Sequence, residues 1–232
     1  MLKKQILIMG LLTGLLGLFG CNSKSNGKVP KSDTSEVEYM NPNDILFTIP
    51  TLNNSLPNFK DKTDSCASFH EDEWRQIEFI SKDQKSSIDK EIAKIKDIYD
   101  NFSHKSETYT AFKNVAVRDL INQPLSIEFS KLKSYFPSNK IKTQGLCLDK
   151  NTGQVNDGFY FTYMGVNYYG IVEDNIVKTF CIYSANSEDD LKSAIDILSN
   201  LLSKEKLYLV DWRAMNVIDE SNIKTELVKN DK

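Results

Sequence analysis

An α+β fold, a mostly antiparallel sheet with two or three helices packed on one face, is predicted for this chain by three observations. Four β-prone segments between residues 141 and 183 are separated by short turn-forming stretches. Two segments, about 87–102 and the run that follows Ser187, carry apolar residues at helical spacing. An apolar β-prone run at 207–212 then follows the second of them, as a strand returning to the sheet would.

The elements follow in chain order. Residues 74–80 (WRQIEFI) alternate as a strand with Ile77 and Phe79 on one face. Ile88, Ile92, Ile95, Tyr99 and Phe102 recur at helical spacing with Asp89, Lys90, Lys94 and Lys96 between them, an amphipathic helix over 87–102. Residues 109–120 (YTAFKNVAVRDL) predict another strand. Residues 126–135 predict a short helix, or a strand running into one, closed by Pro137.

The β-rich centre comprises 141–148 (IKTQGLCL), 158–164 (GFYFTYM), 167–172 (NYYGIV) and 176–183 (IVKTFCIY). Its separators hold Asn151-Thr152-Gly153, Asn156-Asp157-Gly158, Gly165-Val166-Asn167 and Glu173-Asp174-Asn175, turn chemistries short enough to favour an antiparallel meander. Ser187 before Glu188, Asp189 and Asp190 supplies a hydroxyl N-cap and acids over the positive end of a helix dipole. Leu191, Ala194, Ile195, Leu198, Leu201 and Leu202 fill one face of that helix, and Leu207 to Trp212 returns to the sheet. From Asp219 the chain is polar and expected to fray. No Pro/Gly/Ser linker divides residues 44–214 and no repeat is visible, so they are expected to form a single domain, with 215–232 a polar C-terminal tail.

The N-terminus carries the most specific signal. Lys3 and Lys4 precede an apolar run from Ile6 to Phe19, 14 residues interrupted only by Thr13 and glycines, and Leu18-Phe19-Gly20-Cys21 ends it. A membrane-spanning helix needs about 20 apolar residues, so a permanent span is disfavoured and a cleaved export signal fits. The segment resembles the lipobox signal of bacterial lipoproteins. That resemblance implies removal of residues 1–20 and acylation of Cys21, whose two or three chains would hold the protein on a lipid bilayer at about 0.8 kcal/mol per buried CH₂. The alternative is an ordinary secretory signal with a cysteine at its cleavage point. Residues 21–43, rich in Ser, Asn, Lys and Pro behind Cys21, read as a flexible tether. The resemblance also implies a cell-envelope address. Asn22 is not the Asp that retains many lipoproteins at the inner membrane, so the outer membrane is the better expectation, facing the periplasm rather than the exterior.

Losing Lys3 and Lys4 takes two from the 29 basic residues and none from the 32 acidic ones, leaving a net charge of −5. No clear basic patch replaces phosphate counterions, which excludes nucleic acid as a partner. With Cys21 lipidated, Cys66, Cys147 and Cys181 remain, so one internal disulfide can form and one thiol is left. Cys66 sits in a polar segment a bridge would pin, and Cys181, inside Phe180-Cys181-Ile182, reads as a small buried hydrophobe. Cys66 with Cys147 is the favoured pair, and Cys147 with Cys181 the next.

Catalytic patterns are weak. His70 and His104 are the only histidines, no CxxC, HxxxH or HExxH occurs, and no metal site or cofactor is expected. Asp149 to Gly153 begins like a calcium loop but Gln154 stands where Gly is needed and Tyr160 where a bidentate Glu is needed, so it reads as a turn. Ser-x-x-Lys at Ser87, Ser130 and Ser203 lacks companion motifs, and GxSxG, P-loop and GxGxxG patterns are missing. Glu71, Asp72 and Glu73 read as solvated acids.

The remaining candidates for recognition are Tyr160, Tyr163, Tyr168 and Tyr169 in the aromatic hairpin, together with Trp74 and Arg75. Outward tyrosines offer rigid area and a hydroxyl. The favoured reading is that they stabilise cross-strand pairs and that the tryptophan closes the core. The expectation is therefore a non-enzymatic, protein-binding envelope lipoprotein, monomeric or weakly oligomeric, of the immunity or inhibitor type that neutralises a toxin passed between bacteria. A surface adhesin for host protein or glycan comes second and a carboxylate-dependent hydrolase third.

Overall fold

A computed structural model describes residues 46–61, 65–106, 109–119, 121, 124–137, 141, 143–148 and 153–228. The signal segment, Cys21, the tether and the 149–152 turn lie outside the described residues. The fold is α+β and mostly antiparallel.

Its centre is a six-stranded sheet. Strands β10 (Gly158–Tyr163), β11 (Val166–Glu173) and β12 (Ile176–Ala185) form the expected meander. Met164 and Gly165 turn the first hairpin and Asp174 and Asn175 the second, all four with φ between 49° and 74°, the left-handed values two-residue hairpin turns require. At Gly165 a side chain would also collide with Asp190, since a Cβ there would lie 2.2 Å from the Asp190 carboxyl carbon. Beyond β12 the sheet continues through β4 (Ile77–Ser81), β13 (Leu207–Asp211) and β14 (Asn216–Ile218), every neighbouring pair antiparallel. An early strand is thus inserted between two late ones, with Glu78 opposite both Cys181 and Val210, and Phe79 opposite Leu209.

One face is covered by α3 (Glu188–Lys204), α2 (Phe129–Ser134) and α4 (Ile223–Val228). Ser187 caps α3 as expected, its hydroxyl accepting from the Asp190 N–H at 3.1 Å. Ala194, Ile195, Leu198, Leu201 and Leu202 meet Phe161, Tyr168, Phe180 and Leu209 there. Phe79 stacks on Phe180 at 4.6 Å, and Phe136, just past α2, stands edge-on to Phe161 at 5.1 Å.

Three helices thus pack on one face as expected, and the opposite face is covered as well. Helix α1 (Lys85–Phe102) lies there, with Ile88, Ile95 and Ile98 against Ile80, Val210 and Trp212. Beside it, β2 (Phe59–Lys60), β3 (Cys66–Phe69), β8 (Gly145–Leu148) and β9 (Gln154–Val155) form a second sheet whose Phe69, Leu146, Leu148 and Val155 pack on Tyr169 and Cys181. Strands β3 and β8 run parallel, and Cys66 and Cys147 are joined by a disulfide across them. Cys181 is free and buried.

Two expectations change. The single strand over 109–120 is two, β6 (Thr110–Phe112) and β7 (Ala116–Arg118), because the chain bends at Lys113, whose N–H donates to the Phe102 carbonyl at 2.9 Å. Strand β6 pairs with β5 (Ser103–Lys105), and β7 runs parallel to β1 (Thr51–Asn53). Residues 215–228, expected as a polar tail, instead supply β14 and α4. Their few apolar residues are placed where they count: Ile218, Ile223 and Leu227 are all buried against the α3 side of the sheet. Among the described residues, no helix is long and apolar enough to cross a membrane.

Candidate functional site

The segment Trp74-Arg75-Gln76-Ile77-Glu78 leads into β4, and alternation along that strand decides where each side chain goes. Ile77 and Phe79 share the α3 face, as the sequence predicts, so Glu78 must point to the other. There it meets the seam between the α1 cluster and the cluster under the second sheet. No apolar layer closes that seam. Arg75, Gln76, Glu78, Arg118, Thr51 and Asp211 are buried in and around it.

Arg75 donates from Nε to Glu78 Oε1 at 2.8 Å and also from Nη2 to the same oxygen. Trp212 Nε1 donates to Glu78 Oε2 at 3.3 Å, so one carboxylate holds a guanidinium and an indole from different elements. Arg118 arrives from β7, donates from Nε to Thr51 Oγ1 at 2.9 Å and from Nη2 to the Arg75 carbonyl at 3.1 Å, and lies 4.7 Å over the Trp212 ring. Thr51 passes the link on, its hydroxyl donating to the Ala116 carbonyl at 2.9 Å, while Gln76 Nε2 donates to the Thr51 carbonyl at 3.0 Å. Arg75 itself sits at φ 55°, unusual for a residue with a Cβ. Tyr169 braces that turn: its hydroxyl accepts from the Arg75 N–H at 2.6 Å and donates to the Glu73 carbonyl at 3.2 Å.

Electrostatics follow from the burial. Desolvation opposes the Arg75 charge, but the attraction and hydrogen bonds of Glu78 outweigh it and raise the pKa above its ordinary value. Burial lowers Arg118 to about 10, with Glu78 attracting and Arg75 repelling its charge, so it remains protonated at neutral pH. Burial raises the Asp211 pKa, partly offset by the Ala214 N–H at 3.0 Å from Oδ1. Burial also pushes the Cys181 thiol well up, with Glu78 adding to the effect, so it stays a thiol rather than a nucleophilic thiolate. Both histidines are exposed, and His70 Nδ1 accepts from the Asp72 N–H at 3.2 Å.

The placement of the sequence-predicted residues is now clear. Trp74, Arg75 and Tyr169 do come together, but inside the protein, and Tyr168 and Tyr163 are buried on the α3 face. For these residues the favoured reading, that they pack across strands and that the tryptophan closes the core, is the one the structure shows, and outward display as a binding face fails because both faces of the sheet are covered. Tyr160 alone is half-buried, at the rim of the second sheet. Glu78, Arg118, Thr51 and Gln76 were not singled out by the sequence reading. In the sequence Glu78 alternates with the apolar Ile77 and Phe79 and Arg118 follows the apolar Val117, so neither charge stands at a position that alternation marks as inward.

Chemically, the junction ties four parts of the chain together: β1, β4, β7 and the turn after β13. The Glu78 carboxylate, the two guanidinium groups, the Thr51 hydroxyl and the Trp212 indole are bonded to groups of the protein there, whereas Gln76 Oε1 is buried without a hydrogen-bond partner. Among the described residues no group of three or more His, Cys, Asp or Glu is placed to hold a metal ion. Compared with family models, with characterised proteins and with solved structures, the chain finds no match in any of the three.

Proposed function

We propose that this chain is a lipid-anchored protein of the bacterial envelope, held by acylated Cys21, whose folded body binds another protein and catalyses nothing. The observation that carries the reading is Leu18-Phe19-Gly20-Cys21 behind Lys3, Lys4 and a short apolar run. The Cys66–Cys147 bridge supports it, because disulfides persist in oxidising compartments such as the periplasm and the cell surface. The buried junction supports the non-catalytic part: its carboxylate, guanidinium and hydroxyl groups are engaged with one another, and its thiol is held protonated. Within this class an immunity or inhibitor protein facing the periplasm, its partner a toxin delivered between bacteria, fits the address and the net charge of −5 after cleavage, taken from 29 basic residues less Lys3 and Lys4 against 32 acidic ones.

Two experiments test the two halves. Membrane fractionation with intact mass of the N-terminal peptide should find an acylated Cys21, and Cys21→Ser should release the protein from the membrane; an unmodified, soluble Cys21 chain would sink the anchor. Deleting the gene should sensitise cells to the toxin encoded beside it, and the protein should co-purify with that toxin. Unchanged sensitivity would remove the immunity reading, and loss of the protein to protease on intact cells would move it to the adhesin class.

A further inference from the structure

Among the described residues the exposed large apolar side chains are Leu46, Phe47, Leu56, Tyr109, Val117 and Met164. They are not scattered. All but Met164 lie on two stretches, 46–56 and 109–117, that are hydrogen-bonded to each other. Phe47 and Phe112 exchange both backbone bonds at 2.8 and 2.9 Å, the Ala116 N–H donates to the Pro50 carbonyl at 2.8 Å, and the Asn54 N–H donates to the Arg118 carbonyl at 3.0 Å. In the parallel pair β1–β7, Val117 stands opposite Leu52 on the outer side, while Thr51, Ala116 and Arg118 turn inward. Exposed Lys105 and Lys113 flank the Tyr109 end of this ribbon. A line of aliphatic and aromatic side chains edged by lysines has the chemistry of a membrane-interface surface.

The position of the ribbon in the chain says which surface it meets. It begins at Leu46, 25 residues after Cys21. The ribbon is thus the first described part of the chain after Cys21 and lies nearest to it in sequence. Such tethering raises the local concentration of bilayer at this surface, and weak interfacial affinity is then enough to seat it. We propose that the ribbon of 46–56 and 109–118 is the membrane-facing surface of this protein, with Phe47, Tyr109 and Val117 resting at the headgroup level of the phospholipid bilayer that holds Cys21. This rests on the lipid anchor proposed above, and Met164, an exposed apolar side chain outside the ribbon, serves as the control position.

The test uses the full acylated chain in vesicles of phosphatidylethanolamine and phosphatidylglycerol carrying brominated acyl chains. The native Trp74 and Trp212 are both buried and give a constant background. Val117→Trp should add fluorescence that brominated lipid quenches at least twofold more than the fluorescence added by Met164→Trp. Tyr109→Trp provides a second probe should Val117→Trp fail to fold by circular dichroism. Equal quenching at Val117 and Met164, or none at Val117 and Tyr109, would overturn the proposal, as would a lipid-independent blue shift of Val117→Trp that grows with protein concentration, which would mark a contact between copies. The anchor is scored separately: a chain that lacks acyl groups on Cys21 and does not float with vesicles refutes the anchor, whereas an acylated, floating chain with an unquenched ribbon refutes the orientation alone.

Discussion

Replacing Glu78 by alanine is the sharpest test of the buried junction. The substitution removes the carboxylate that Arg75 grips through Nε and Nη2 and that Trp212 Nε1 reaches at 3.3 Å. It leaves two guanidinium groups, Arg75 and Arg118, buried with the carboxylate between them gone. Breaking a buried ion pair from one side costs about 3–5 kcal/mol, and the long indole bond adds about 1 kcal/mol. A loss of about 4–6 kcal/mol is thus expected, a large share of the roughly 5–15 kcal/mol that holds a domain folded. At about 2–4 °C per kcal/mol for a body of this size, Tm should fall by about 8–24 °C. Urea denaturation of the full chain at pH 7, followed by tryptophan fluorescence, measures it directly. Arg75→Met with Glu78→Leu should recover part of the loss, and adding Arg118→Leu should recover more, because the penalty is one of unpaired charge rather than volume. Methionine at 75 keeps the backbone cost at φ 55° unchanged, since neither side chain is β-branched. A loss below about 1 kcal/mol for Glu78→Ala, or a triple variant less stable than Glu78→Ala, would refute the electrostatic argument.

Cys66→Ser with Cys147→Ser opens a loop of 81 residues, for which chain entropy predicts a loss of about 4.5 kcal/mol; urea unfolding, with midpoint and m-value both fitted because the freed unfolded chain should raise m, checks it, and a loss under about 1 kcal/mol would mean the bridge adds little constraint. In a Cys21→Ser chain, Cys181 should be silent to a thiol reagent at pH 8 in the native protein and give one thiol per chain in guanidinium chloride, so native reactivity would contradict its burial. Asp211 has a folded-state pKa above its ordinary 3.8, so its protonated form is favoured in the native protein and its contribution is lost as pH rises through the folded value. Asp211→Asn should therefore gain stability relative to the native chain between pH 3 and pH 7, and a difference independent of pH would refute this. Ser187→Ala removes the hydroxyl that caps α3 and should cost about 1 kcal/mol by the same urea assay.

What the sequence made legible is what local rules control. The meander of β10, β11 and β12, the two long helices and the Ser187 cap all follow from periodicity and turn chemistry within a few residues. The β4 face assignment followed from alternation too, with Ile77 and Phe79 on the α3 side. What local rules do not contain is what covers a face. Tyr168 and Tyr169 alternate as any neighbours on a strand must, yet whether Tyr169 meets solvent depends on Phe69 and Leu146, about 100 and 23 positions away respectively, forming a second sheet above it. The same omission hid the junction. Glu78 looks like an outward charge if one face is wet, and becomes a buried one once α1 and the second sheet both occupy that side. Arg118 and Glu78 are 40 residues apart, and neither position alone shows that both contact Trp212. That both charges face inward is visible only in the folded chain, where each must have a partner because a lone buried charge is too costly to persist. By that rule Glu91, at an inward position of α1 between Ile88 and Ile95, also demanded one, and it has two: the Lys94 ammonium at 3.0 Å and the Asp119 N–H at 3.2 Å, which fastens the chain leaving β7 onto the helix.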